Sequence, residues 1–384
     1  MPRKFMGNKL IKLIVAALML SGLVSCAVPQ VSAEDRLFLD LQVEVLDRFE
    51  LPQQIFQETT IGGLSALAYD PSQGELYALS DDRGRYGPPR YYRLDLTLGD
   101  NSTIEAVSVK SVTPLTQKDG SPFAIGQLDP EGIALSPRNT VIISSEGDAS
   151  RVDSFLGEFD REGGQLVTQF RLPARYLNAN PEGNEPPNQG VQNNLSLESL
   201  TISSGPAQSP GELFRLFTAT ESALIQDYND DPSQPLNSRF LHYLLGQNQS
   251  TLIAEHRYPL DLETTGTLVN GLSELLLLDR GGHFLALERA FGLKGFQVKL
   301  YQLATGGATD TSSIDSLRGN LEGITPIRKR LLLDFANLDI DLGNLEGMTL
   351  GPPLDGDQSL ILVSDNNFEM DQPSQFWLLR LKGL

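Results

Sequence analysis

Acidic residues recur in this sequence at the two ends of short strand pairs. In each recurring unit a Glu or Ser opens a short apolar strand, a turn follows, and a second apolar strand runs up to an acid. The start of the first strand and the end of the second lie side by side in a hairpin, so each unit predicts two neighbouring polar side chains. These predicted pairs are Ser65 with Asp81, Glu131 with Glu146, Glu198 with Glu221, Ser273 with Glu288, Glu322 with Asp334, and Glu346 with Asp365.

The closing acids of these pairs are candidate metal ligands. If the units surround one axis, their carboxylates share one rim and repel each other unless something neutralises them. Hard cations such as Ca²⁺ bind several carboxylate oxygens, so calcium is the predicted cofactor. An acid at a strand end can also simply accept hydrogen bonds from turn amides, and this structural alternative stays open. The predicted metal ligands are Asp81, Glu146, Glu198, Glu221 and Asp365.

Arginines follow several of the second strands and offer the rim another partner. Arginine binds a carboxylate or a phosphate through two parallel hydrogen bonds. A rim that holds both metal and arginine suits a phosphate or another anionic ester. The predicted substrate-binding residues are Asp82, Arg151 and Arg289.

Motifs for other hydrolytic chemistries are absent from the sequence, which contains no G-x-S-x-G elbow, no H-E-x-x-H and no P-loop. None of the histidines His242, His256 and His283 falls at a rim position, so a Ser-His-Asp triad is not expected. An enzyme on this rim would use metal-activated water with a carboxylate as base. The catalytic candidates are Glu131, Glu346 and Arg83.

The elements that must position these residues are short strands joined by turns. The opening positions 65, 131, 198 and 273 leave room for four strands each, with extra length in loops. We therefore predict an all-β propeller of four-stranded antiparallel blades, with six blades preferred and five to seven compatible. The stretch from Arg36 to Phe49 and the stretch from Phe376 to Leu381 are expected to pair and close the ring.

Two Pro- and Asn-rich stretches, 178–192 and 227–237, are predicted loops. Such loops are either functional lids or disordered insertions, and the sequence does not separate the two.

The N-terminus predicts export with a lipid anchor. A basic segment and an apolar run from Leu13 to Leu23 precede Leu23-Val24-Ser25-Cys26, which resembles a lipobox. An ordinary secretory signal that happens to contain a cysteine is the alternative. We predict a signal peptide at 1–25, lipidation of Cys26, a tether at 26–36 and one domain at 37–384. Ala27 is not an acidic retention signal, so a cell-envelope location at the outer membrane is expected where a cell has one.

The exported part is strongly acidic. The whole chain has a formal charge of −19, and loss of residues 1–25 removes four basic residues and no acid, which gives −23. Such a surface repels nucleic acid and anionic headgroups. We therefore expect a small-molecule substrate, membrane contact through the lipid alone, no nucleic-acid partner, and a monomer.

Several of these motifs together resemble one known family. They are Gly62-Gly63-Leu64-Ser65 with Ser80-Asp81-Asp82-Arg83, Asp129-Pro130-Glu131-Gly132 with Ser144-Ser145-Glu146-Gly147, Asn194 before Leu197-Glu198-Ser199-Leu200, and Asn344-Leu345-Glu346-Gly347-Met348 with Ser364-Asp365-Asn366-Asn367-Phe368. In this order, over about residues 60–370, they resemble the phytase-like family described as "esterase-like activity of phytase". The resemblance implies a propeller-like fold, export and hydrolysis of an ester or phosphoester. Glu198-Ser199 departs from the expected Glu-Gly form, and no catalytic set is carried over.

Three functions therefore compete. The first is metal-assisted hydrolysis of a phosphoester or ester, and the second is a lactonase-like hydrolase that acts on a neutral ester. The third is a non-catalytic binding propeller, whose acids would each pair with an arginine or a turn.

Overall fold

The computed structural model describes residues 35–147, 152–177, 187–203, 211–247, 249–262, 266–338 and 340–384. The chain divides into two units, Met1–Phe38 and Leu39–Leu384. Within the first unit the described residues include a 3-10 helix, Asp35–Leu37. The predicted signal peptide and Cys26 lie outside the described residues. No described helix has the length and apolar character needed to cross a membrane.

Short apolar strands that end at turns form nearly all of the described structure of the second unit. Three strands precede the first blade: β1 (Gln42–Leu51), β2 (Gln54–Phe56) and β3 (Thr59–Ile61). Blade 1 contains β4 (Leu64–Asp70), β5 (Glu75–Ser80), β6 (Arg90–Leu98) and β7 (Ile104–Pro114). Blade 2 contains β8 (Pro130–Leu135), β9 (Thr140–Ser145), β10 (Phe155–Asp160) and β11 (Leu166–Phe170).

The remaining blades follow in chain order. Blade 3 contains β12 (Leu197–Ser203), β13 (Phe214–Thr220), β14 (Asn237–Leu245) and β15 (Ser250–Pro259). Blade 4 contains β16 (Thr267–Leu277), β17 (His283–Gly292), β18 (Gly295–Ala304) and β19 (Arg328–Asp334). Blade 5 contains β20 (Asn344–Leu354), β21 (Asp357–Asp365) and β22 (Ser374–Lys382), and β1 is its fourth strand. Short 3-10 helices occupy Ala174–Tyr176, Ile225–Asp227 and Phe335–Leu338.

The blades form a closed ring. The first strands of the blades are innermost, and each packs against the first strands of the two adjacent blades, including β20 against β4. The ring closes because β1 pairs antiparallel with β22, from Gln42 opposite Lys382 to Leu51 opposite Ser374. The predicted pairing of the two terminal stretches is therefore confirmed.

The prediction of an all-β propeller with four-stranded antiparallel blades is confirmed, and the described residues form five such blades. Five is the lower end of the expected range, and the preferred count of six is wrong. The shortened unit at 320–334, whose length predicts only part of a blade, contributes the outer strand of blade 4. Glu322 lies exposed in a turn, and Asp334 ends β19, the outermost strand of blade 4. This pair is therefore not part of the rim.

The core lies between the blades. Five clusters of buried apolar side chains fill the five contacts between adjacent blades. Because both faces of the inner part of a blade are covered, inner strands such as β5 and β9 read as apolar runs, whereas outer strands such as β7 and β11 alternate with polar residues. Burial of one Leu or Phe side chain contributes about 1.5–3 kcal/mol, and this packing fixes the inner strands on which the acids lie.

Candidate metal and active site

A β-bulge occurs near the start of every innermost strand. The register shifts between Leu64 and Ala66 in β4, and the corresponding shift recurs in the first strand of each of the other blades. A bulge inserts an extra residue and turns its side chain to a new direction. The bulged positions hold the predicted opening residues Ser65, Glu131, Glu198, Ser273 and Glu346.

The second strands supply the other half of the site. In four blades the residue that follows the last paired Ser or Thr is an acid: Asp81, Glu146, Glu221 or Asp365. In blade 4 this position holds Arg289, because Glu288 takes the preceding place opposite Leu272. The prediction that Glu288 joins the rim is wrong. Glu288 instead accepts hydrogen bonds from the Tyr258 hydroxyl at 2.6 Å and the Asp261 amide at 3.0 Å.

We call the carboxylates at this end of the propeller the acidic ring. The ring comprises Asp81, Asp129, Glu131, Glu146, Glu198, Glu221, Glu346 and Asp365. Oxygens of Asp129, Glu131 and Glu146 lie within 4.8 Å of one another, and so do oxygens of Glu146, Glu198 and Glu221. The two groups share Glu146. Of the predicted rim acids, Glu131, Glu146, Glu198 and Glu221 therefore come together in these two groups.

Glu146 has a buried oxygen without a protein partner. Its side chain is 1% exposed, and Oε1 accepts a hydrogen bond from the Ser196 amide at 2.5 Å. Oε2 has no hydrogen-bond partner among the described residues. A buried carboxylate oxygen in this state calls for a ligand, because desolvation without compensation is costly.

Burial and mutual repulsion raise the proton affinity of the ring. The pKa values of Glu131, Glu146 and Glu198 lie well above the usual range, first because burial disfavours the ionised form and then because other acids are close. The same causes raise the pKa of Glu346 to about 8, although Arg289 opposes the shift. Burial raises the pKa of Asp365 to about 6. The ring therefore cannot be fully ionised near neutral pH without added positive charge.

Two arginines neutralise part of this charge. Arg289 donates to Glu221 at 2.7 Å, to Glu346 at 2.6 Å and to the Asn344 amide oxygen at 2.8 Å. Gly271 gives Glu221 room to reach it, since a Cβ on Gly271 would lie 2.4 Å from Glu221 Oε1. Arg83 donates to Asp129 at 2.7 Å and keeps 35% of its side chain exposed.

Asp82, another predicted substrate-binding residue, does not join the ring. Asp82 forms a buried ion pair with Arg90 at 2.7 Å and accepts hydrogen bonds from the amides of Gly84, Arg85 and Tyr86. It therefore anchors the loop after β5. Arg151 lies outside the described residues, as does the 178–186 part of one predicted loop.

Two buried acids of the site were not predicted. Asp129 immediately precedes β8, and its position beside Pro130 in a recurring unit was the available signal. Glu274 follows the bulge at Ser273 and is 2% exposed. Its carboxylate accepts hydrogen bonds from the amides of Leu200 at 3.2 Å and Leu275 at 2.9 Å, so it ties inner strands together outside the ring.

The chemistry of the ring suits a hard divalent cation. Carboxylates from blades 2 and 3 converge on the Glu146 region, and one of their buried oxygens has no hydrogen-bond partner among the described residues. Calcium and magnesium bind through such oxygens. Thiolate or imidazole ligands, which softer metals favour, are absent from both groups.

A family comparison decides the relationship. The model of the phytase-like family, described as "Esterase-like activity of phytase", matches residues 59–368. The chain belongs to this family. The match runs from β3 to the loop that follows β21, and it confirms the resemblance that the sequence motifs indicated.

Comparisons beyond the phytase-like family add little. No curated protein matches the sequence. The catalytic domain of a GH62 α-L-arabinofuranosidase from Coprinopsis cinerea has a TM-score of 0.42 at 11% identity, covering 90% of this chain and 98% of that one. An endo-arabinase from Bacteroides thetaiotaomicron has a TM-score of 0.41 at 9% identity, covering 86% and 96%. Similarity at this level supports no argument about function.

Proposed function

We propose that this phytase-like chain is a hydrolase whose acidic ring binds Ca²⁺ and which cleaves a phosphoester or ester of a small molecule. The observation that carries the proposal is the convergence of two groups of buried carboxylates on Glu146, whose Oε2 has no partner among the described residues. If the acids were only structural latches, each would pair with its own arginine or turn. Among the described residues, Arg83 and Arg289 pair with Asp129, Glu221 and Glu346, and backbone amides satisfy one oxygen each of Glu146 and Asp365. Glu146 Oε2 and Asp81 Oδ1 are left without a hydrogen-bond partner, which simple latches would not be.

A bound cation would supply positive charge that stabilises ionised carboxylates and an anionic substrate group. Asp81, Glu146, Glu198, Glu221 and Asp365 are the proposed ligands, and Asp129 lies near enough to join them.

The exposure and charge of the remaining site residues suggest a separate role for each of them. Burial and the neighbouring acids raise the pKa of Glu131 well above its usual range, which favours proton exchange with the reacting group as its role. Glu346 holds Arg289 in place through the 2.6 Å ion pair. Arg83 is the more exposed arginine, and we propose that it orients the phosphate or carboxyl oxygens of the substrate.

Export and a lipid anchor on Cys26 are part of the same proposal, and they are supported by the lipobox-like Leu23-Val24-Ser25-Cys26. A hydrolase held at the cell envelope would meet its substrate outside the cytoplasm. Mass spectrometry of the mature protein tests this point. A diacylglyceryl mass that disappears in Cys26→Ser supports the anchor, and an unmodified cysteine contradicts it.

The deciding experiment is a calcium titration by calorimetry on the full chain in detergent, paired with hydrolysis of phenyl phosphate and phenyl acetate. We expect saturable binding that Glu131→Gln and Asp365→Asn weaken, and calcium-dependent turnover of the phosphate. Glu322→Gln is the matched control, because Glu322 is exposed and outside the ring. Turnover of the acetate alone would favour the lactonase-like alternative. A protein that shows neither calcium binding nor turnover of either probe would contradict the proposal and would favour a binding propeller.

A further inference from the structure

An aromatic pair borders the acidic ring at blade 1. Tyr86, in the loop after β5, stacks on Phe368, in the loop after β21, with ring centroids 4.3 Å apart and an interplanar angle of 12°. Tyr86 is 50% exposed, so about half of its surface stays open to solvent beside its contact with Phe368. Two loops from different blades thus build one flat aromatic surface.

The backbone conformation that holds Phe368 in this surface is energetically unfavourable. Phe368 has φ of +57°, a left-handed conformation that is unfavourable for a bulky aromatic residue. The Asn366 side chain holds the turn, because it accepts hydrogen bonds from the Phe368 amide at 3.2 Å and the Gly63 amide at 3.0 Å. The buried Arg90 guanidinium lies 5.9 Å from the centroid of the Phe368 ring. Non-glycine residues held in this region of φ cluster at functional sites.

The pair also lies next to an acid of the ring. A Cβ on Gly63 would fall 2.0 Å from Asp81 Oδ1 and 2.4 Å from the Phe368 ring. Only a glycine at this position therefore lets the Asp81 carboxylate and the Phe368 ring both lie against the backbone. Asp81 Oδ1 is buried and has no hydrogen-bond partner among the described residues. A charged site and a flat apolar surface therefore adjoin.

The Tyr86 side of the pair is positioned independently. Both oxygens of Asp82 accept hydrogen bonds from the Tyr86 amide, at 3.2 and 3.1 Å, and Asp82 is fixed by the buried Arg90. A loop fixed in this way presents its ring without a large ordering cost when a ligand binds.

We propose that Tyr86 forms a stacking subsite for a flat ring, aryl or sugar, which the substrate carries next to its phosphoester or ester group. This inference rests on the proposed function and specifies its substrate class. The anionic or ester group would enter the acidic ring while the attached ring lies on the exposed face of Tyr86. Tyr86 would then be a specificity-determining residue without a part in bond cleavage.

The experiment compares phenyl phosphate, glucose 1-phosphate and methyl phosphate with the full chain in detergent and calcium. We expect Tyr86→Ala to raise KM for a ring-bearing probe by roughly two- to tenfold, the range typical of one aromatic contact. KM for methyl phosphate, kcat and calcium affinity should not change. Preference for phenyl phosphate over glucose 1-phosphate would identify an aryl ring, and the reverse would identify a sugar.

Two variants serve as controls. Tyr86→Phe keeps the ring face and should keep the selectivity. Tyr228→Ala removes another half-exposed tyrosine, on the blade 3 side, and should have no effect. An equal change for methyl phosphate, or no change for any probe in Tyr86→Ala, would overturn the inference.

The failure of the inference can be separated from that of the proposed function. If no probe is hydrolysed, calorimetric binding of the same three probes replaces KM. Ring-selective binding that Tyr86→Ala abolishes supports the subsite even without turnover. Absence of ring-selective binding overturns the subsite even if methyl phosphate is cleaved.

Discussion

The two ends of the propeller axis are made by the same five strands, and they differ in how their polar groups are satisfied. The starts of the inner strands carry the acidic ring. Their far ends line a cavity of about 850 Å³ with side chains such as Leu67, Ile133 and Leu200. Polar groups there have partners: Thr201 Oγ1 accepts from the Leu277 amide, and Thr349 Oγ1 accepts from the Tyr69 amide.

This difference shows that the volume of a cavity does not by itself identify the functional site. The far cavity is spacious, yet Arg161 on its wall is paired with Asp70. The acidic ring holds buried carboxylates that outnumber the arginines paired with them among the described residues. Uncompensated buried charge marks a ligand site more sharply than an opening does.

The largest expected effect tests whether the acidic ring needs a cation. Arg289→Gln leaves Glu221 and Glu346 without their ion-pair partner, and we expect a loss of about 3–5 kcal/mol in the free energy of unfolding. Urea denaturation without divalent ions measures it. Added calcium should recover much of this loss, because a cation can replace the guanidinium charge.

Arg161→Gln at the far cavity is the matched control. It also breaks a largely buried ion pair with an acid, Asp70, but no further carboxylate group converges there in the described structure. Calcium should therefore not restore its stability. Equal recovery of both variants would show that calcium acts generally and not at the ring.

The second comparison sets two buried glutamates against each other. Glu146→Gln removes the carboxylate that both groups share, so we expect calcium affinity to fall about 100-fold, or about 2.7 kcal/mol. Glu274→Gln alters an acid whose partners are backbone amides, and it should lower stability with less than about a threefold change in calcium affinity. Calorimetry on both variants measures this. A larger loss of affinity in Glu274→Gln would place the cation elsewhere.

The third prediction concerns the binding of protons by the ring, and the change that it expects for one pH unit is the smallest of the three. Carboxyls whose pKa is raised on folding bind protons more tightly in the folded state, so their contribution to stability is complete below the unfolded pKa and is lost as pH rises. For Glu346 that window runs from 4.5 to about 8, and for Asp365 from 3.8 to about 6.

Without divalent ions, the free energy of unfolding should therefore fall by about 1.4 kcal/mol per pH unit for each such carboxyl. Urea denaturation between pH 5 and 8 measures the slope. Saturating calcium should reduce it, because the cation favours the ionised form. Stability that rises over this interval in the metal-free protein would contradict the raised pKa values.

Much of the fold could be read from repetition, because each blade repeats one pattern of apolar strands and turns. The pairing of the two terminal stretches followed from the need to close the ring. The unit at 320–334 misled because Leu331 to Leu333 followed by Asp334 has the form of a closing strand. Its position as the outer strand of blade 4 depends on tertiary pairing with β18, which no local pattern reveals.

The site was predicted with one systematic gap. The geometry of a hairpin predicted that Glu131 lies beside Glu146. It does not predict the strand register beyond a β-bulge, because a bulge inserts an extra residue. In blade 4 the nearest acid in the sequence was Glu288, whereas the register gives the site position to Arg289. The aromatic pair of Tyr86 and Phe368 joins loops far apart in the chain, so no local spacing could indicate it.

The pairing of β1 with β22 has a consequence for biosynthesis. β1 precedes the first blade in the chain and its partner β22 follows the four other blades, so the ring can close only after all five blades have been made. Contacts between residues so distant in sequence also slow folding. A protein truncated before Ser374 would expose two unpaired strand edges at the same seam, and aggregation would follow.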